Sequence, residues 1–255
     1  MSEANEVLRI ERDGPVATII LNRPGARNAM NFALADATVE AVAACRDARA
    51  IVLTGADPAF CAGLDLRELG ASALADLPEF TAAVAASPVP VIGAVNGPAV
   101  TGGLEMALAC DFLIGSERAS FADTHARVGV FPGPVLHDLP ARVGAAFARE
   151  MSLTGNFVDA ATALRVGLLN RLVPHGDLLA CAQQIAHDIA SQDPEMIRNI
   201  RGCLARVTEV SLSDGRRLWR EDVERFASGD IRGEDIAGRR ADVLARSREQ
   251  RVRRS

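Results

Sequence analysis

Residues Ala94–Asp111, AVNGPAVTGGLEMALACD, constrain this chain more than any other stretch. The apolar run PVPVIGAV leads into a turn at Asn96, Gly97 and Pro98; paired Gly102 and Gly103 follow, and then the strong helix formers LEMALA. A strand that stops at glycines and restarts as a helix leaves the first helical amides without intrahelical partners. Those donors, at the positive end of the helix dipole, suit a developing negative charge. Glu105 falls one turn into the helix, which places a carboxylate near the same spot. Two readings stay open on these residues alone: an anion hole beside a base, or a tight turn in a buried core.

A second glycine turn repeats the arrangement. Ala50–Gly55, AIVLTG, is an apolar, β-branched run of strand length. After it come a turn at Asp57 and Pro58, the segment Phe60–Asp65 (FCAGLD), and a helical stretch expected over Leu66–Ala86. Two such turns can each aim one amide at a single oxygen atom. Loss of one preorganised donor of that kind costs roughly 2.7–4 kcal/mol of barrier.

The remaining pattern alternates strands and helices. Val7–Glu11 and Val16–Leu21 read as a hairpin turning at Asp13-Gly14. Helices are expected over Phe32–Ala48, Gly103–Ala109, Val158–Val166, Asp177–Ser191 and Pro194–Arg206, and strands over Val91–Val95, Phe112–Gly115 and Ser120–Ala122. The alternation argues for α/β layering with parallel pairing. Pro194 at a helix start marks a boundary near Gln192–Glu195.

Composition removes several classes of function. The chain has 255 residues, enough to bury a large core, but no run of ~18–20 uninterrupted apolar residues. The opening MSEANEVLRIERDG lacks a basic stretch followed by an apolar core, so no secretory signal is expected. Cys45, Cys61, Cys110, Cys181 and Cys203 are scattered without zinc or disulfide spacing, so no metal is expected and a reduced, cytoplasmic compartment is. There is no lysine, which removes Schiff-base chemistry. Net charge is −5, so nucleic acid is not an expected partner of the whole chain. An arginine-rich end (Arg239, Arg240, Arg246, Arg248, Arg251, Arg253, Arg254) reads either as a solvated helix face or as a contact with phosphates, a neighbouring subunit or RNA. No GxGxxG, GxxxxGKS, GxSxG or HExxH motif is present.

Five segments in chain order resemble the crotonase superfamily, the enoyl-CoA hydratase/isomerase family. They are LNRPGARNAM, IVLTGADPAFCAGLDL, PVPVIGAVNGPAVTGGLEMALACD, FADTHARVGVFPG and LTGNFVDAATALRVGLLNRLVPHGDLL; the match thins after about Ala190. The resemblance implies an α/β fold built as a spiral of β-β-α units. It implies an acyl-CoA-binding core over residues 1–191 and a helical region over 192–255 that drives assembly into a homotrimer or a hexamer. The partner would be an acyl-CoA thioester, with coenzyme A part of the substrate and no separate cofactor.

The family's site residues carry over position by position. The oxyanion donors match the amides of Leu64 and Gly102; Thr101 stands where the first of three glycines is usual. Of two carboxylates, the first matches Glu105, while His125 occupies the place of the second. Histidine suits general acid–base work near neutral pH, yet it could equally be a packed pocket wall. Asp123 could supply the missing acid only if the local geometry differs. Val135, Leu136 and His137 stand where small residues are common and are expected to reshape the acyl pocket; His137 and Asp138 read as rim or structural residues. Coenzyme A would lie against Ala26, Arg27, Ala62, Gly63 and Asp65, with Arg27 either reaching a phosphate or remaining a surface residue. The leading expectation is hydration of trans-2-enoyl-CoA, with Glu105 positioning and activating water and His125 as the substituted acid partner. The alternatives are double-bond isomerisation with Glu105 as single base, other acyl-CoA chemistry, an acyl-CoA binder without turnover, or an RNA-associated role.

Overall fold

The computed structural model describes residues 7–65, 67, 77–208, 210–227, 240, 243, 245 and 246. Its strands are β1 (Leu8–Asp13), β2 (Val16–Leu21), β3 (Ala50–Gly55), β4 (Val91–Val95), β5 (Pro98–Val100), β6 (Phe112–Ser116), β7 (Ser120–Ala122), β8 (Val158–Asp159) and β9 (Arg171–Val173). They form a six-stranded sheet in the order β1-β2-β3-β4-β6-β9 and a three-stranded sheet in the order β5-β7-β8. The large sheet is parallel except for the β1–β2 hairpin, in which Asp13 faces Val16. The helices of residues 1–198 are α1 (Phe32–Ala44), α2 (Phe80–Ala85), α3 (Gly102–Leu108), α4 (His125–Val128), α5 (Val135–Val143), α6 (Ala145–Thr154), α7 (Ala160–Arg165) and α8 (Leu178–Ala190). Twice the chain places one strand in the large sheet, the next in the small sheet, and then turns into a helix: β4-β5-α3 and β6-β7-α4.

Parallel strands must be covered on both faces, and β2, β3 and β4 are buried throughout. On one face Val16, Val52, Ile92 and Ile114 pack against Leu178, Ala182, Ala186 and Ala190 of α8, spaced four apart along one helical stripe. On the other, Ile19, Ile51, Leu53 and Leu113 join Leu34, Ala41, Leu104, Phe121 and Leu139. No helix among the described residues is long and apolar enough to cross a membrane.

The chain divides into two compact units, Met1–Arg198 and Asn199–Ser255. Helix α9 (Pro194–Thr208) begins in the first. The second holds α10 (Leu212–Ala227) and an ion pair of Arg206 with Asp222 at 3.1 Å.

Several elements depart from the sequence pattern. The expected helix Val158–Val166 opens as strand, because Val158 pairs with Phe121 and the Asp159 carboxylate caps α7 by accepting from Thr162 N at 2.7 Å. Of Leu66–Ala86, Leu66 and residues 68–76 lie outside the described residues; α2 starts only at Phe80, after Pro78. Helix α1 ends at Ala44, short of Ala48. Between β4 and α3 the chain does not pass directly from strand to helix: it inserts β5, which pairs with β7. Most of the expected arginine-rich end, Arg239, Arg248, Arg251, Arg253 and Arg254, lies outside the described residues.

Helix α3 is held at both ends. At its start a Cβ on Gly103 would stand 2.1 Å from the Cys61 carbonyl oxygen, so only glycine allows this approach. At its end Arg142 of α5 donates to Leu108 O at 2.9 Å and to Cys110 O. Gly103→Ala is therefore expected to cost ~2–3 kcal/mol or more. Gly25→Ala, where an added methyl meets nothing within 4 Å, should stay within about 0.5 kcal/mol. Urea unfolding midpoints of the two variants check this.

Candidate active site

Two turns meet at the start of α3. Cys61 N donates to Pro98 O at 3.1 Å and Val100 N to Cys61 O at 3.0 Å. Gly63, at φ +97°, passes so close to β5 that a Cβ there would stand 2.9 Å from Val100 O. Across the other edge, Met30 N donates to Gly63 O at 2.7 Å and Asp65 N to Met30 O at 2.8 Å. That pattern skips the Leu64 amide. Gly102 N lies in the first turn of α3, where no helical carbonyl precedes it. The two residues are neighbours: a Cβ on Gly102 would stand 3.5 Å from Leu64 Cδ2.

The residue before them is strained. Thr101 has φ +52°, a region that disfavours a β-branched side chain. Its amide donates to Ala122 O at 2.8 Å and its hydroxyl lies 2.6 Å from that of Thr124, so the turn is tied to the segment that carries His125. Holding such a conformation costs on the order of 1–3 kcal/mol, which the surrounding bonds must offset.

Glu105 is buried on α3, and its Oε1 accepts from Gly133 N at 3.1 Å and Val135 N at 3.4 Å. His125 Nε2 is 4.0 Å from the same oxygen, and His125 Nδ1 is 2.6 Å from Asp123 Oδ1. Asp123, His125 and Glu105 thus form a carboxylate–imidazole–carboxylate row, each member at least nine-tenths buried. Burial pushes the Glu105 carboxyl above its ordinary value; the charge of His125 and the two amides pull it back, and Asp123 pushes it further up. Burial acts the same way on Asp123. There, however, hydrogen bonding to His125 prevails, helped by the Ser152 hydroxyl from outside ordinary bonding geometry, and the carboxyl is held below its usual range.

Residues expected to meet coenzyme A come together at the loop after β2. Ala62 N donates to Arg27 O at 3.1 Å, which joins the segment holding Ala26 and Arg27 to that holding Ala62 and Gly63. Arg27 is exposed at φ +51°. Asp65 has its carboxylate on Arg23 at 3.1 Å, both side chains largely buried, so it braces the loop. The sequence reading passed over Arg23 and Asn28. Buried Asn28, at φ +55°, donates to Ala56 O at 2.8 Å and Ala59 O at 2.7 Å and accepts from Arg23 N at 2.9 Å. The one available signal was an asparagine in a turn, the residue type that most readily joins glycine in the left-handed region.

The enoyl-CoA hydratase/isomerase family model matches residues 11–234. The chain belongs to this family. A probable enoyl-CoA hydratase of Mycobacterium bovis is 38% identical over 229 residues, covering 84% of this chain and 88% of that protein. Carnitinyl-CoA dehydratase of Proteus mirabilis is 34% identical over 247 residues, covering 91% and 92%. The crystal structure of an enoyl-CoA hydratase from Mycobacterium tuberculosis H37Rv superposes with a TM-score of 0.73 at 44% identity, covering 88% of this chain and 100% of that one. The fold is crotonase-like, and the chain is an enzyme of the hydratase/isomerase type acting on acyl-CoA.

Of the residues expected to reshape the acyl pocket, Val135 is in the core, Leu136 is 47% exposed, and His137 points outward to pair with Asp138 at 2.6 Å. Glu105 meets this region through the backbone amides of Gly133, just before α5, and Val135, its first residue. Among the described residues no group of three or more His, Cys, Asp or Glu side chains is placed to hold a metal.

The raised Glu105 carboxyl carries a stability consequence. Between its unfolded and folded pKa values the native chain holds more protons than the unfolded one, so stability falls as pH rises through that window. Glu105→Gln keeps the shape and removes the charge. It should match or exceed the parent's melting temperature at about pH 8, with the gap closing toward about pH 4 where both forms are neutral. Melts at the two pH values test this; a variant weakened more at the higher pH would show that the His125 charge outweighs burial.

Proposed function

We propose that this enzyme adds water to a trans-2-enoyl-CoA to give a 3-hydroxyacyl-CoA. The reading is carried by one observation: Leu64 and Gly102 pack together at the same helix start that presents Glu105 to His125, and we take their backbone amides as the two donors. The thioester oxygen would take both amides, which stabilise the enolate as it forms. In the reverse of the roles expected from the sequence, Glu105, whose carboxyl burial pushes above its ordinary value, gives a proton to the α carbon. His125 Nε2 takes a proton from water, whose oxygen bonds to the β carbon as the alkene electron pair moves toward the thioester. Proton return from Nε2 to Glu105 restores the starting state. The 4.0 Å between these atoms leaves them close enough to share one water.

Coenzyme A would lie along Ala26, Ala62 and Gly63, with Arg27 toward a phosphate and Asp65 bracing the loop. We assign acyl-CoA handling to residues 1–191 and association of copies, as a trimer or a hexamer, to 192–255. Five free cysteines support a cytoplasmic setting.

The test is incubation with short- and medium-chain 2-enoyl- and 3-enoyl-CoA in heavy water, followed by mass spectrometry. Gain of one water by the 2-enoyl substrate supports the proposal. Conversion of 3-enoyl to 2-enoyl without hydration makes the enzyme an isomerase with Glu105 as single base. Binding without hydration, isomerisation or deuterium uptake overturns both. In the hydratase, His125→Ala should lower kcat by roughly 10²-fold or more; a fall under tenfold would leave His125 as a pocket wall.

A further inference from the structure

Histidine in place of a carboxylate raises a problem that a carboxylate does not have. Two carboxylate oxygens are equivalent, whereas the two imidazole nitrogens are not: in the neutral ring one carries hydrogen and the other accepts. A histidine that must accept a proton at Nε2 needs its hydrogen fixed on Nδ1.

We propose that Asp123 is a positioning residue for the reaction: it accepts the Nδ1–H of His125 and so presents an unprotonated Nε2 to Glu105 and the substrate. This rests on the hydratase reading of the site. Asp123 Oδ1 is 2.6 Å from Nδ1 and 3.4 Å from the His125 amide, so one oxygen holds both the ring and the backbone beneath it. The ring then spans the gap to Glu105 Oε1. Asp123 stands behind the imidazole, two residues back on the same segment, and is 1% exposed. That places it out of reach of a substrate on the Nε2 side, and it does not serve as the second acid. Its other oxygen, Oδ2, is buried without a hydrogen-bond partner among the described residues. A carboxylate desolvated to that degree is costly unless paired, and the nearer of its two partners on His125 is the ring, ahead of the backbone amide. When Nε2 takes a proton from water, the imidazolium gains a carboxylate already in contact. The ring's ion-pair partners among the described residues are Asp123 and Glu105.

Two measurements test the proposal. The first needs no variant. The chain has four histidines, and long-range proton–nitrogen NMR on protein labelled at the histidine nitrogens, with His125→Gln to assign the resonance, reads which nitrogen is protonated at neutral pH. A proton on Nδ1 is expected; a neutral ring protonated at Nε2 alone overturns the proposal, whatever the enzyme's activity. The second is Asp123→Asn, whose amide can donate to Nδ1 and so select the wrong tautomer. In a serine-protease triad the corresponding change lowers kcat by roughly 10⁴-fold. Here a fall in kcat of at least ~10²-fold with KM within about threefold is expected, together with movement of the His125 proton to Nε2. A folded Asp123→Asn variant that keeps kcat within tenfold, or keeps the parent tautomer, overturns it. The NMR result does not depend on turnover. Failure of the parent to hydrate enoyl-CoA would therefore count against the proposed function, and a wrong tautomer against Asp123.

Discussion

The contact on which this molecule depends is one where a side chain cannot exist. Gly103 lies against the Cys61 carbonyl so closely that any Cβ would collide with backbone. That approach lets β5 exchange hydrogen bonds with Cys61, and Leu64 packs beside Gly102. Neither turn makes this junction alone. The close packing of two backbones holds two strand ends against each other, and the buried sheet beneath fixes their spacing.

Around that contact several polar groups are paired. Arg23 and Asp65 brace the loop after β2, and Asn28 closes it by bonding two carbonyls. Glu105 is not free: the amides of Gly133, just before α5, and of Val135, its first residue, face it, as does an imidazole from α4. Low dielectric makes each of these interactions stronger and each vacancy more costly. The strained Thr101 belongs to the same economy of space, because its hydroxyl bond to Thr124 links the donor turn to the proton-handling segment.

What the sequence disclosed follows from what is local. Val91–Val95 and Ser120–Ala122 were legible to the residue because apolar runs bounded by turns leave little choice. The strand–glycine–helix turns around Leu64 and Gly102 were visible because glycines there have a backbone reason, while the donor and proton-handling roles of Leu64, Gly102 and Glu105 came from the resemblance and remain proposals. The short strand β5 was missed: three residues pairing with a strand twenty residues on carry no periodic signal. Helices α4, α5 and α6 were missed for a related reason, since prolines and glycines punctuate that region and tertiary packing stabilises turns too short to announce themselves. The direction of a side chain was least legible. Nothing local distinguishes Val135, which points into the core, from Leu136, which points out, and nothing in FADTH reveals that the aspartate lies behind the histidine.

Helix α3 has only seven residues, all of them buried. A helix of two turns has almost no intrinsic stability in water, and both ends of this one are secured by distant segments, Cys61 at the start and Arg142 at the finish. The short helix that carries Glu105 therefore depends on contacts made from well before and well after it in the chain, so its integrity reports folding of the surrounding sheet, and damage far from it should deplete the folded molecules without altering those that remain.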